Sequence, residues 1–246
     1  LEYAEVNTAA VVLTGLVRTY AKTNYSLKRN VLDINNADVY LSFWDKDEMG
    51  NPIDVSAVLD IYKPVSYEIL SHDEYEETRE PFVFNDRSND CFHTNIRAYL
   101  SRRNVGTRNL ERYRSQFYAV KRGIKLVKNS YNAVMRTRFD IEYKSKMSMY
   151  HIDSGDNKFY VPEVGRDVFN DHYITCGLTT PVISDHWCYG NPTMMQKYGE
   201  QYDNILKVYQ EDNVPPCNAE EFMAHYCLNI MKGVKVIDST PYAIIR

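Results

Sequence analysis

No apolar run in this chain exceeds Ala9–Leu13, whereas a membrane-spanning helix needs roughly 20 consecutive apolar residues. No basic-then-apolar leader opens it, although it begins at Leu1 rather than Met, as an excised or processed domain would. CxxC spacing is absent, and the five cysteines (Cys91, Cys176, Cys188, Cys217, Cys227) are odd in number. That argues against a zinc site or a disulfide scaffold and leaves reduced, structural thiols as the expectation. Neither a Walker loop nor a GxGxxG fingerprint follows the first apolar run, where Gly15 stands alone. Ser-His-Asp and Cys-His arrangements are not recognisable by spacing, which speaks against a covalent hydrolase. Internal repeats and low-complexity segments are lacking too. The triplet Asn24-Tyr25-Ser26 is a formal glycosylation signal of a kind common by chance.

What is present suits a folded α/β chain. At 246 residues, with 44% hydrophobic and 25% charged residues, the sequence is long enough for one α/β domain with a sizeable core. Net charge is −4, but it is unevenly placed. Six acidic residues stand against Arg79 between Glu68 and Glu80, and ten basic residues against Glu111 between Arg97 and Lys128. A solvated face is the plain reading of the acidic run. The basic run leads directly into a strand that carries arginines of its own.

Ala9–Thr14 followed by Gly15 reads as a buried parallel strand ending at a turn. A helix over Asn24–Leu32 and a strand over Asp38–Trp44 complete a β-α-β opening, which brings both strand ends to one carboxyl edge of the sheet, where open α/β sheets bind ligands. Residues 47–110 are aperiodic apart from a strand at Val65–Leu70. From Arg112, apolar residues Tyr113, Phe117, Val120, Ile124 and Val127 fall at helical spacing. Strands are expected at Ala133, at Lys158–Val161 and at Pro181–Ser184. A helix opens at Asn191-Pro192 with its apolar face continuing to Tyr209, another spans Ala219–Met231, and Val234–Ile237 is a last strand.

Several constellations can carry chemistry. Thr14-Gly15 allows close backbone approach, and Arg18 offers a planar fork to phosphate, although a tight turn with a surface arginine explains the same residues. Trp44 ends the second strand, where it can stack on a base or simply pack. Arg136, Arg138 and Asp140 follow the apolar Tyr131–Met135 stretch, a grouping able to face anionic phosphates and a divalent cation together; a structural Arg–Asp pair is the alternative. Glu142 would join Asp140 as a second ligand if the strand continued. Ser184–Gly190 offers Asp185 as a general base for a hydroxyl, His186 as its substitute or a structural group, and aromatic Trp187 and Tyr189 against a sugar face. Of Glu220 and Glu221, one is expected as a helix-start charge, the other, Glu220, at the sugar.

Taken in order, Thr14–Tyr20, Asp38–Trp44, Arg114–Tyr118, Met135–Ile141, Ser184–Gly190 and Ala219–Phe222 resemble GT-A glycosyltransferases of bacterial polysaccharide loci and large DNA viruses, including chlorovirus capsid-glycan enzymes. The resemblance runs from about Val11 to Arg246. It implies a single GT-A-like, Rossmann-like α/β domain with a mixed, mostly parallel sheet flanked by helices. Its nucleotide-binding part would span about 9–143 and its acceptor-binding part about 144–246. It also implies that Asp140 holds the place of the metal-binding DxD motif, with Arg138 where the first acid is usual, and that Arg114 and Gln116 lie near the nucleotide. Asp185 would be the catalytic carboxylate on the acceptor side.

The expected activity is transfer of a sugar from a nucleoside-diphosphate donor, a UDP-sugar, to a hydroxyl of a glycan acceptor. Arg18, Arg138 and Mn²⁺ or Mg²⁺ on Asp140 would stabilise the departing diphosphate. The expected location is the cytoplasm, the host's for a viral chain. A nucleotidyltransferase making a nucleotide-sugar is a second reading, weakened by the lone glycine after the first strand. The third is a non-catalytic nucleic-acid-binding module on the 97–128 segment. Against it stand the net negative charge and scattered aromatics, since phosphate-backbone affinity needs a dominant basic face.

Overall fold

The computed structural model describes residues 9–79, 107–128, 131–153, 155, 157–162, 183–211, 222–223 and 226–245. Strand β1 (Ala9–Gly15) is buried except at its last residue, as a strand flanked on both edges and covered on both faces must be. It pairs in parallel with β2 (Ala37–Trp44) on one side and with β4 (Ala133–Thr137) on the other, while β3 (Ser66–Leu70) extends the sheet beyond β2. Beyond β4 the sheet turns mixed. β7 (Trp187–Gly190) runs antiparallel to β4, β6 (Lys158–Pro162) antiparallel to β7, and β8 (Val234–Asp238) parallel to β6. The order is thus β3-β2-β1-β4-β7-β6-β8, a mixed, mostly parallel sheet with the parallel part first in the chain. A separate antiparallel pair joins β5 (Ile141–Tyr143) to β9 (Tyr242–Ile244).

Alternation along β1 divides the core. Ala10 and Val12 face one way, against Phe117, Val120 and Ile124 of α5 (Thr107–Leu126) and Met194, Met195 and Tyr198 of α6 (Pro192–Gly199). Ala9, Val11 and Leu13 face the other way, with Leu27 of α1 (Tyr20–Leu27) and Val58 and Tyr62 of α3 (Val55–Tyr62). Both faces of the sheet are therefore covered, the three-layer solution for a largely parallel sheet.

The helix expected at Asn24–Leu32 begins earlier. Thr19 takes a left-handed φ of 45° before α1, which continues through a π turn (Lys28–Leu32) into the short α2 (Asp33–Asn35). Buried Asn35 anchors this segment, its amide donating to Val31 O and Met147 O and its Oδ1 accepting from Met149 N. The stretch after residue 47, aperiodic in sequence, holds two short helices started by side-chain caps. Asp54 accepts from Ala57 N ahead of α3, and Ser71 from Glu74 N ahead of α4 (His72–Thr78). Within the acidic run, Asp73 and Glu74 occupy the first turn of α4, where the helix dipole favours them.

The helix opening at Asn191 starts as expected, with Asn191 Oδ1 accepting from Met194 N and Pro192 in the first turn. It breaks at Glu200, so that α7 (Gln201–Glu211) is a second helix. The strand expected at Pro181–Ser184 is displaced. Ile183 and Ser184 are non-strand, Pro181 and Val182 lie outside the described residues, and the strand is Trp187–Gly190. Of the helix expected at Ala219–Met231, the described residues are Phe222–Met223, which are helical, and a π turn at Tyr226–Ile230. Strand β4 also ends earlier than a continuous strand through Asp140 would, because Phe139 and Asp140 form a turn before β5.

The order of the parallel strands creates a switch point. The chain steps from β1 outward to β2 and β3, then returns to place β4 on the opposite side of β1. Connections diverge there, opening a crevice at the carboxyl ends of β1 and β4. Helix α5 lies close over the sheet beside it, since a Cβ on Gly123 would stand 2.8 Å from Val12 Cγ1, 2.9 Å from Thr14 Cγ2 and 3.1 Å from Ser42 Cβ. All three neighbours are short, stiff side chains that cannot swing away. Gly123→Ala should therefore lower stability by about 1–3 kcal/mol through overpacking, measured by urea denaturation; an unchanged midpoint would show that α5 can lift without cost.

Candidate functional site at the carboxyl edge of the sheet

A cavity of about 570 Å³ occupies the switch-point crevice. Its walls come from five places: Thr14, Gly15, Leu16 and Arg18 at and after the end of β1; Trp44, Lys46, Asp47 and Glu48 at and after the end of β2; His72 at the start of α4; Tyr113, Ser115 and Gln116 on α5; Arg136, Arg138 and Asp140 at and after the end of β4. Gly15 has φ +99°, a conformation that a side chain would strain. Its chain therefore turns at the cavity with bare backbone.

Arg136 organises the floor. It points to the same face of the sheet as Val12 and Thr14 and is 1% exposed, so its charge must be met by hydrogen bonds. Nε donates to Thr14 Oγ1 at 2.9 Å and Nη1 donates to the Asp185 carbonyl. One guanidinium thus ties together the ends of β1 and β4 and the approach to β7.

Arg138 lies one step further out. Its Nε and Nη2 donate to the two oxygens of Asp140 at 2.9 and 2.6 Å, a bidentate pair, and its Nη1 stands 3.6 Å from Asp185 Oδ2. Gln116 Nε2 donates to that same Oδ2 at 2.6 Å. Burial would push the Asp185 carboxyl up, but the Arg138 charge, with His186, Arg136 and the Gln116 hydrogen bond, outweighs it and holds the group below the ordinary carboxylate range. Asp185 does not line the cavity; it stands behind Arg138 and Gln116, which do.

The outer wall carries the third arginine. Arg18 Nη2 pairs with Glu48 at 2.7 Å, while its Nε is buried without a hydrogen-bond partner among the described residues. Lys46 pairs with Asp73 through both carboxylate oxygens. Trp44 is itself almost wholly buried, its ring packed near His72, Tyr75 and Tyr118 at centroid distances of 4.4, 5.2 and 6.1 Å. His72, whose Nδ1 lies 3.2 Å from Asp45 Oδ1, also faces the cavity. His72 was not foreseen as a site residue, although its place two residues past a strand on the carboxyl edge is a sequence signal that could have found it.

The expected site residues therefore separate into groups. Thr14, Gly15, Arg18, Trp44, Gln116, Arg138 and Asp140 share the cavity, and Arg136 joins them. Asp185 and His186 adjoin it through Arg138. Arg114 is buried and does not line the cavity, and Trp187 and Tyr189 are strand residues packed in the core on the α1–α3 side. Glu142 pairs with Lys144 away from it. Glu220 lies outside the described residues.

Asp140 is the carboxylate expected to hold a divalent cation. Both oxygens of Asp140 are held by a neighbouring cation, and among the described residues no three His, Cys, Asp or Glu side chains come together as a metal cage. Positive charge in the cavity comes instead from the protein's own guanidinium groups.

His186 is distinctive among the surrounding groups. Its Nδ1 is 2.7 Å from Tyr242 Oη and its Nε2 is 3.7 Å from Asp185 Oδ1. Burial pushes its pKa down to about 4, against the pull of Asp185, so the ring is neutral near pH 7. Between that value and its ordinary 6.5 the unfolded chain binds the extra proton. Stability contributed by His186 is accordingly complete above pH 6.5 and lost as pH falls toward 4, by on the order of 2–3 kcal/mol. An NMR titration of the His186 Hε1 resonance should give a midpoint near 4; a midpoint near 6.5 would contradict the burial and the Tyr242 contact.

Among the described residues, no helix is long and apolar enough to cross a membrane. No protein-family model matches the chain, and comparison with curated proteins finds no match.

Proposed function

We propose that the cavity binds a nucleoside diphosphate and that the chain is a glycosyltransferase moving a sugar from such a donor, a UDP-sugar, to a hydroxyl of a glycan. The observation that carries this reading is the convergence of Arg18, Arg136 and Arg138 on one cavity at the topological switch point of a largely parallel sheet. Ligands of open α/β sheets bind at that place, and a planar guanidinium matches phosphate oxygens two at a time. The volume is that of a small-molecule site. The sequence resemblance to GT-A enzymes supports the specific chemistry.

In the net transfer a bond forms between the acceptor hydroxyl oxygen and the anomeric carbon, the bond from that carbon to the diphosphate oxygen breaks, and the hydroxyl proton is released, ultimately to solvent. Negative charge grows on the departing diphosphate, and fixed cations aimed at that charge lower the barrier without reorganising. Arg18 and Arg138 take this role. Arg136, with two donors committed to Thr14 and Asp185, fixes the floor on which they stand. No step is assigned to a metal, since the one carboxylate expected to hold Mn²⁺ or Mg²⁺, Asp140, instead orients Arg138.

Asp185 is the acceptor-side carboxylate in this reading, and its contacts with Gln116 and Arg138 favour a positioning role over that of a base. UDP should raise the melting temperature with or without EDTA. Arg138→Gln should weaken UDP binding about 10–100-fold, the loss of one or two charge-assisted hydrogen bonds. Asp185→Asn should weaken it severalfold as Arg138 loses its backing, whereas a pure base would leave UDP affinity unchanged and reduce turnover alone. Absence of stabilisation by UDP, GDP and CMP alike would end the transferase reading.

A further inference from the structure

The ion pair between Arg18 and Glu48 crosses the cavity from the loop after β1 to the loop after β2. Its side chains are 34% and 58% exposed, and exposed pairs of this kind contribute little to stability. The geometry around Glu48 is nevertheless built. Asp47 Oδ1 accepts from Met49 N and Asn51 N, both at 2.8 Å, Gly50 turns with φ +84°, and a bridge between Lys46 and Pro52 closes the loop. Glu48 is thereby carried on a tight turn with its carboxylate on the cation that faces the cavity. On the other side Arg18 keeps its Nε buried and without a hydrogen-bond partner among the described residues, a donor that the ion pair does not satisfy.

We propose that Glu48 is an internal stand-in for a phosphate, a specificity-determining residue that a ligand must displace from Arg18. This rests on the reading of the cavity as a diphosphate site and adds a selection rule to it. A ligand with one phosphate exchanges one anionic partner of Arg18 for another and gains little from that contact. A diphosphate displaces Glu48 with one phosphate while the other reaches Arg138, which already carries Asp140 and Asp185, so a second contact remains after the exchange at Arg18. Glu48 therefore sets a threshold that a lone phosphate barely clears and a diphosphate clears through its second contact, and it recaptures Arg18 as the diphosphate product leaves.

Calorimetric titration of the whole chain with UDP, UMP and inorganic pyrophosphate tests this in wild type, Glu48→Gln and Glu48→Asp. Glu48→Gln should bind UDP and pyrophosphate about two- to fivefold tighter, the range that the strength of an exposed ion pair allows. Its gain for UMP should be of the same size, since the same exchange at Arg18 is relieved; a gain for UDP with none for UMP would overturn the proposal. Glu48→Asp, which keeps the charge, should stay near wild type. In an Arg18→Gln background the Glu48→Gln gain should vanish. Equal or weaker binding of UDP and pyrophosphate by Glu48→Gln overturns the proposal, as does a gain that survives loss of Arg18. Failure of the wild type to bind UDP while it binds pyrophosphate would refute the nucleotide reading alone, with the pyrophosphate comparison still deciding the role of Glu48.

Discussion

A guanidinium buried inside a sheet sets the terms for everything around it. Arg136 is 1% exposed on the face of β4 that packs against α5, and an unpaired charge there would cost several kcal/mol. Its hydrogen bonds to Thr14 and to the Asp185 carbonyl make the end of β1, the end of β4 and the approach to β7 mutually dependent. With those three segments fixed, Arg138 and Asp140 emerge from the following turn in one geometry, and Asp185 lies where it can hold Arg138 and Gln116. The cavity is thus the mouth of a charge network whose root is in the core.

This arrangement also explains how positive charge is concentrated in a chain that is net negative. Three cations facing the cavity have acidic companions: Arg138 has Asp140 and Asp185, Arg18 has Glu48, and Lys46 has Asp73, while Arg136 is held by Thr14 and the Asp185 carbonyl. The inner carboxylates are buried, Asp140 in a bidentate pair with Arg138 and Asp185 at 3.6 Å from it, and they serve to orient. The outer ones are exposed and exchangeable. A gradient from fixed to exchangeable partners runs outward along the cavity, which suits a site that must accept a strongly anionic ligand and then release it.

Much of this was legible in the residues, and the failures have physical causes. The apolar run Ala9–Thr14 read as a buried parallel strand and Asp38–Trp44 as a second strand, and they placed Gly15, Arg18 and Trp44 on one edge correctly. Asn191-Pro192 announced a helix start through its own capping chemistry. By contrast, Trp187 and Tyr189 read as aromatics against a sugar face because the carboxylate, imidazole and glycine around them suited an acceptor site. Their spacing of two was the strand signal, and in β7 it turns both rings into the core. Helix α3 was missed although Val55, Val58, Leu59 and Tyr62 stand at helical spacing behind the cap Asp54, and α4 because Tyr75 is its one large apolar residue, leaving the cap Ser71 as its sign. The role of Glu48 was invisible, since an exposed acid on a turn has no sequence signature and acquires meaning only from Arg18 across the cavity.

The central claim is that the arginines of this cavity receive a diphosphate, and the most direct measurement is a crystal structure of the chain with UDP bound. The account predicts density for the nucleotide at the carboxyl ends of β1 and β4, with phosphate oxygens within hydrogen-bonding distance of both Arg18 and Arg138, and Glu48 turned away from Arg18. UDP bound elsewhere, or seated in the cavity with its phosphates away from these two arginines, would contradict it.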